Sequence, residues 1–254
     1  QQYPPRNAQI GETVLEVSHL GNGSTVKDVS FSLRAGEVLG FAGLVGAGRT
    51  ETVRMIFGAD PKTTGEVLLN GKKAVIRSPR DAIRNGLSFV TEDRKREGLL
   101  LRKSVQSNIV MVALKKVCRM HLIHYPSARK VAQSYVEDLN IVTPSVNQKS
   151  EFLSGGNQQK VVVAKWLFSD AKIIILDEPT RGIDVGAKRE IYEIINRLAE
   201  SGKAIIVISS DMEEVMGISD RILVMYEGNI VGEVEKKDFS QRLISEYTIG
   251  GRKL

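Results

Sequence analysis

Cysteine is almost missing from this chain: Cys118 is the only one in 254 residues. It cannot close an intrachain disulfide, and one free thiol fits a reducing compartment. Its setting reads as a place for a small apolar residue, not for a catalytic thiol. The three histidines, His19, His121 and His124, show no metal-ligand spacing with it, so they are read as plain surface or core residues. Long hydrophobic runs are missing too. Ile173 to Leu176 and Ala204 to Ile208 are among the longest, far too short to cross a bilayer, so a membrane role must come through a partner. No basic-then-apolar leader opens the sequence, and export is not expected. No basic patch is studded with aromatic residues for stacking single strands, so no nucleic acid partner is expected.

What is present describes an ordinary globular chain, with 42% hydrophobic and 26% charged residues. Its length suits one large domain or two small ones, and either can bury a full core. The formal charge is +6 and the isoelectric point lies near 9.3. The basic residues are spread along the chain with acids between them, as in Glu92-Asp93-Arg94-Lys95-Arg96-Glu97. A surface that meets nucleotide phosphates and lies near lipid accounts for this charge as well as nucleic acid does. As a bare charge run, Glu92 to Glu97 reads as solvated surface. Asn22-Gly23-Ser24 is a formal glycosylation triplet and reads as a turn.

Residues 1–11 are polar, carry prolines and lack periodicity, which marks a linker. Val29 to Leu33 alternates with period two, as a strand exposed on one face does. Glu37 to Ala42 is more continuously apolar and runs into a glycine loop. Ser78-Pro79 followed by Asn85-Gly86 frames a short helix, with cap, first-position proline and glycine stop. Leu87 to Val90 is the next strand. From about 101 to 155 the pattern turns helical, with helices near Val105–Leu114 and Arg129–Leu139. Strand–helix alternation then returns: Lys172–Leu176, a helix with Ile191, Ile194, Ile195 and Leu198 on one face, and Ala204–Ile208. Such alternation predicts a parallel sheet with crossover helices, here an α/β core interrupted by a helical subdomain.

Three stretches carry phosphate chemistry. Gly43-Leu44-Val45-Gly46-Ala47-Gly48-Arg49-Thr50 fits the phosphate-loop pattern except that Arg49 stands where lysine belongs. Its glycines let the backbone wrap around oxygens, and the helix that follows, through Glu51 to Phe57, turns its N–H groups toward negative charge. Thr50 offers a hydroxyl to Mg²⁺. Arginine keeps the charge but replaces a compact ammonium with a planar fork, so weakened or altered nucleotide binding is expected. At the end of the Ile173–Leu176 strand, Asp177 is placed to hold Mg²⁺ through water and Glu178 to polarise an attacking water. Ser154-Gly155-Gly156 opens a helix through Trp166, with free N–H groups and a hydroxyl for a phosphate.

Taken in order, the glycine loop, Leu153-Ser154-Gly155-Gly156-Asn157-Gln158-Gln159-Lys160 and Ile173-Ile174-Ile175-Leu176-Asp177-Glu178-Pro179-Thr180 resemble the ATP-binding cassette (ABC) domain. The resemblance runs from Leu15 to about Val234. Thr91-Glu92-Asp93-Arg94-Lys95-Arg96-Glu97-Gly98 and Thr180-Arg181-Gly182-Ile183-Asp184-Val185-Gly186 are similar to the C-terminal half of fused bacterial monosaccharide import ATPases of the ribose and galactoside type. It implies a phosphate-loop ATPase core with a parallel sheet, an N-terminal antiparallel β part and the inserted helices, all within 12–254. It also implies ATP and Mg²⁺ as cofactors, and contacts to nucleotide from Gly43 to Glu51. The Ser154–Asn157 helix end would face the γ-phosphate on an opposite cassette, and Asp184 would bridge the dimer. Glu92 would sense Mg²⁺ and the permease. The implied partners are an N-terminal cassette half of the same polypeptide, membrane permease subunits and an extracytoplasmic sugar-binding protein. The implied place is the cytoplasmic face of the cell membrane.

Four positions depart from the general ABC pattern: Arg49 for lysine, Glu92 for glutamine, Ser210 for the switch histidine, and no Phe, Tyr or Trp between Ser18 and Asp28 to stack on adenine. Loss of a positioned acid–base group removes roughly 10²–10⁴-fold in rate, and a missing stacking ring forfeits on the order of 0.5–1.5 kcal/mol. The expected division of labour is a slow site on this half and a signature helix that completes the partner's site. A non-hydrolytic signature donor is the alternative. A soluble ABC ATPase acting on DNA or ribosomes would need zinc cysteines, a coiled-coil insertion or a basic arm, and the sequence has none of them.

Overall fold

The computed structural model describes residues 3–250. Its strands are β1 (Thr13–Gly21), β2 (Val29–Arg34), β3 (Val38–Gly43), β4 (Thr64–Leu69), β5 (Lys72–Lys73), β6 (Leu87–Val90), β7 (Cys118–Arg119), β8 (Leu122–Ile123), β9 (Ile173–Asp177), β10 (Ala204–Ile208), β11 (Arg221–Tyr226) and β12 (Asn229–Glu235). Its helices are α1 (Arg49–Ile56), α2 (Pro79–Arg84), α3 (Val105–Val110), α4 (Tyr125–Asp138), α5 (Gly155–Phe168), α6 (Val185–Glu200), α7 (Met212–Ile218) and α8 (Gln241–Gly250).

Strands β3, β6, β9 and β10 are buried along nearly their whole length, as strands covered on both faces must be. They lie in a six-stranded sheet of order β12-β11-β3-β10-β9-β6, parallel except for the antiparallel edge strand β12. A second sheet, β2-β1-β4-β5, is antiparallel. The two are joined in part by Phe31 of β2 standing edge-on to Phe41 of β3, ring centroids 5.3 Å apart. The expected strand over Val29 to Leu33 and the α2 signals hold, with Ser78 capping the Asp81 N–H at 3.4 Å.

Register is what builds the site. Phe41 pairs with Ile208, and Ile208 pairs with Asp177. The carboxyl ends of β3, β9 and β10 therefore come level. In open α/β sheets that edge is where ligands bind.

Between β6 and β9 lie α3, a 3₁₀ segment over Met111–Val117, the β7–β8 hairpin and α4. The helix expected over Val105–Leu114 stops as α-helix at Val110, because Ala113 leaves helical geometry and the chain tightens. The helix expected from Arg129 begins four residues sooner at Tyr125, capped by the His124 ring and started by Pro126. A histidine cap carries no strong sequence signal, since Ser, Thr, Asp and Asn dominate that position.

The stretch 3–11 has neither helix nor strand, yet its first residues are docked. The Tyr3 ring stands 5.1 Å from that of Tyr192 in α6. Arg6, nearly buried, pairs with Asp220 and donates to Asn196 Oδ1 at 3.1 Å, while Asn196 Nδ2 donates to the Pro5 carbonyl at 2.9 Å. No helix of the described residues is long and apolar enough to cross a membrane.

Candidate functional site

The loop Gly43–Thr50 leaves the central strand β3 and turns into α1. Gly46 and Gly48 take φ of 83° and 98°, a region that side-chain-bearing residues avoid, and a Cβ on Gly48 would stand 2.9 Å from the Thr25 carbonyl. Leu44 is half-exposed and Val45 almost fully exposed at the loop's outer edge. The first N–H groups of α1, which include that of Glu51, have no partner within the helix and are free to meet an anion. Residues Val45 to Glu51 line an open cleft of about 580 Å³, together with Glu92, Glu178 and Ser210.

At the floor of the cleft, Thr50 Oγ1 donates to Asp177 Oδ2 at 2.8 Å. Asp177 is 1% exposed, and its Oδ1 has no hydrogen-bond partner. An orphaned buried carboxylate oxygen beside a threonine hydroxyl is the donor set a hard cation takes, so these two residues fit Mg²⁺. Burial pushes the Asp177 carboxyl up to about 6, only partly offset by the Thr50 hydroxyl. Between about pH 4 and about pH 6 the folded state thus keeps a proton that the unfolded chain releases. Stability falls as pH rises through that window. Between about pH 5 and about pH 7 the ligand-free protein is expected to lose about 1 kcal/mol relative to Asp177→Asn. Urea titrations at both pH values check it.

Glu178 follows with φ 47°, a left-handed backbone that a glutamate adopts only under constraint. Its N–H donates to the Ile208 carbonyl at 2.8 Å, which locks the bend to β10. The carboxylate accepts from the Ser210 N–H at 2.6 Å and from Ser210 Oγ at 3.2 Å. Burial raises its pKa, and those two bonds oppose the shift. Ser210 therefore orients Glu178.

Arg49 does not reach outward. Its side chain folds beneath the loop, nearly buried, and donates to the Ser209 carbonyl at 2.8 Å. Burial lowers its pKa, while Glu178, Asp177 and Glu51 lie close enough to oppose that. Glu92 lies in the cleft with its carboxylate paired to Arg181. Among the described residues, no aromatic side chain lines the cleft.

The other expected residues stand apart from this cleft. Ser154 caps α5, and Asn157 Nδ2 donates to Ser154 Oγ at 2.9 Å while its Oδ1 accepts from the Val142 N–H at 2.8 Å. Gly156 packs against α6, where a Cβ would meet Ala187 Cβ at 2.5 Å. Asp184 caps α6, accepting from the Ala187 N–H at 3.0 Å. Within one chain Ser154, Gly155, Gly156, Asn157 and Asp184 do not line the cleft around Thr50. Sequence reasoning gave no role to Arg181, the Ser209 carbonyl or the inward turn of Arg94; Arg181 and Arg94 entered only inside longer motifs, and Arg94 also inside a charge run read as solvated.

A family model for the ABC transporter domain matches residues 26–181. The chain belongs to the ABC transporter family. A ribose import ATP-binding protein of Clostridium tetani is 49% identical over 250 residues, 98% of this chain and 50% of the relative. One of the same description from Lactococcus lactis is also 49% identical, across 98% of this chain and 51% of the relative. A protein of Burkholderia lata named for ribose, galactose and methyl galactoside import is 50% identical over 243 residues, 95% of this chain and 48% of its own length. The chain thus spans about half the length of the curated relatives it matches. Among solved structures, an ATP-binding cassette of an ABC transporter superposes with TM-score 0.80 at 19% identity, covering 94% of this chain and 98% of its own. A dimeric cassette bound to ADP and phosphate superposes with TM-score 0.75 at 21% identity, covering 89% of this chain and all of its own. The cassette fold is therefore the fold of this chain.

Proposed function

We propose that this chain is the C-terminal ATP-binding half of a monosaccharide importer, whose own site binds MgATP and turns it over slowly. The observation that carries the reading is the Thr50–Asp177 pair with its orphaned oxygen, set at the mouth of a glycine loop and one residue before Glu178. Gly43 to Glu51 cradle the phosphates, and Thr50 and Asp177 hold the cation with Glu92 nearby. Mg²⁺ held there would supply positive charge against the phosphates. Glu178, held by Ser210, accepts the proton of the attacking water. Ser154 to Asn157 serve the nucleotide of the facing cassette, and Asp184 bridges to it. Residues 1–11 join the N-terminal cassette half. The pair works at the cytoplasmic face of the membrane beneath permease subunits fed by a sugar-binding protein. The names of the relatives support a sugar of the ribose or galactose class.

Arg49 favours a second reading, a signature donor without turnover, since its guanidinium is nearly buried and already donates to the Ser209 carbonyl. MgATP-driven sugar uptake by vesicles holding the full-length protein and its permease tests both. Ser210→Ala is expected to lower uptake less than about tenfold, because the Ser210 N–H still holds Glu178. A collapse of uptake in Ser210→Ala refutes the slow-site reading. No MgATP-driven uptake of any ribose- or galactose-class sugar refutes the importer itself.

A further inference from the structure

We infer that Arg94 is a positioning residue: it fixes the Arg181–Gly182 turn, and through it Asp184 and the Ser154 helix end, relative to the exposed loop 92–98. The inference rests on the importer reading above and assigns that reading a mechanical link.

Of the basic residues in this charge run, Lys95 and Arg96 are exposed, whereas Arg94 folds inward. Its Nη1 donates to the Arg181 carbonyl at 2.6 Å and its Nη2 to the Gly182 carbonyl at 3.1 Å. Two successive carbonyls suit the fixed fork of a guanidinium, whereas an ammonium holds only one with good geometry. The placement is costly. Burial lowers the Arg94 pKa, its Nε has no hydrogen-bond partner, and among the described residues no carboxylate forms an ion pair with it. An arginine free to relax would swing into water.

Three segments meet at this side chain. Gly182 has φ 67°, and the turn it makes passes two residues later into Asp184, the α6 cap. At Gly155, a Cβ would stand 2.8 Å from Arg94 Nη2 and 3.1 Å from the Gly182 carbonyl, so a side chain there would push the guanidinium off its carbonyls. The loop itself is stiff: Asp93 Oδ1 accepts from the Lys95 and Arg96 N–H groups at 3.1 Å, opening a π turn over Arg94–Gly98. Lys165 of α5 then donates to the Gly98 carbonyl at 2.6 Å. Glu92 grips Arg181 from the cleft side. A partner pressing on residues 93–97 thus moves the carbonyls that set Asp184.

The test compares Arg94→Met and Arg94→Lys in the full-length protein with its permease. Arg94→Met is expected to lower kcat for coupled ATP turnover by about tenfold or more with KM for ATP within about twofold, and Arg94→Lys to recover part of it. In parallel, amide hydrogen exchange of residues 183–187 is expected to rise in Arg94→Met while that of β9 stays unchanged. Unchanged kcat in Arg94→Met, or unchanged exchange at 183–187, overturns the inference. So does a loss of turnover that melting curves trace to unfolded protein, with no partial rescue by lysine. If the unaltered protein drives no uptake, the importer reading fails, and the exchange data still decide whether Arg94 holds the turn.

Discussion

Ser154→Arg in the full-length protein is expected to abolish MgATP-driven sugar uptake while leaving MgATP binding to the Gly43–Thr50 loop within about twofold. Ser154 is exposed, and its hydroxyl caps α5 and accepts from Asn157 Nδ2. Losing the cap costs about 1 kcal/mol, too little to unfold a chain with this core. The damage is local. An arginine adds bulk to a helix end where Gly155 is hemmed in by Arg94 and Gly182 and Gly156 lies against Ala187. A facing phosphate could no longer approach those N–H groups. Ser154→Ala is the control, since it removes the cap without adding bulk, and most of the uptake is expected to remain. Full uptake by Ser154→Arg would refute the idea that this helix end completes a partner's site.

Arg49→Ala is expected to weaken MgATP binding by on the order of tenfold to a hundredfold, the range for losing one charged hydrogen-bond donor to a phosphate. Arg49→Lys is expected to bind better than the unaltered protein. In the ligand-free protein the guanidinium is nearly buried and spends one N–H on the Ser209 carbonyl. To meet a phosphate it must give up that bond and move its planar fork within a tight loop. A lysine ammonium is more compact and donates to phosphate as a point charge. Equilibrium titration of the three proteins with MgATP settles the order. Equal affinity in all three would mean that residue 49 does not touch phosphate, which favours the signature donor without turnover.

Much of this was legible in the linear chain because it rests on local rules. The glycine loop, the apolar runs that became β3, β6, β9 and β10, and the capped helix α2 all follow from spacing and turn chemistry. So does the start of α5 at Ser154. The helical insertion was read less well. Its first helix breaks at Ala113, and the second is capped by a histidine. The β7–β8 hairpin turns on Met120 and His121, both in left-handed geometry without a glycine between them.

The sequence by itself determined the glycine loop, the two carboxylates behind a buried strand and the capped helix end at Ser154, because each is a contiguous motif whose form depends on near neighbours. Only the tertiary structure decided how they are wired. Strand register brings the ends of β3, β9 and β10 level and sets Thr50 against Asp177 across 127 positions of sequence. It also leaves Asp177 with an unpartnered oxygen, turns Arg49 onto Ser209 and sends Arg94 to the Arg181 and Gly182 carbonyls. A long cationic side chain can lie in solvent or fold inward with no change in the residues beside it. The choice depends on carbonyls contributed from far along the chain, which no local pattern encodes.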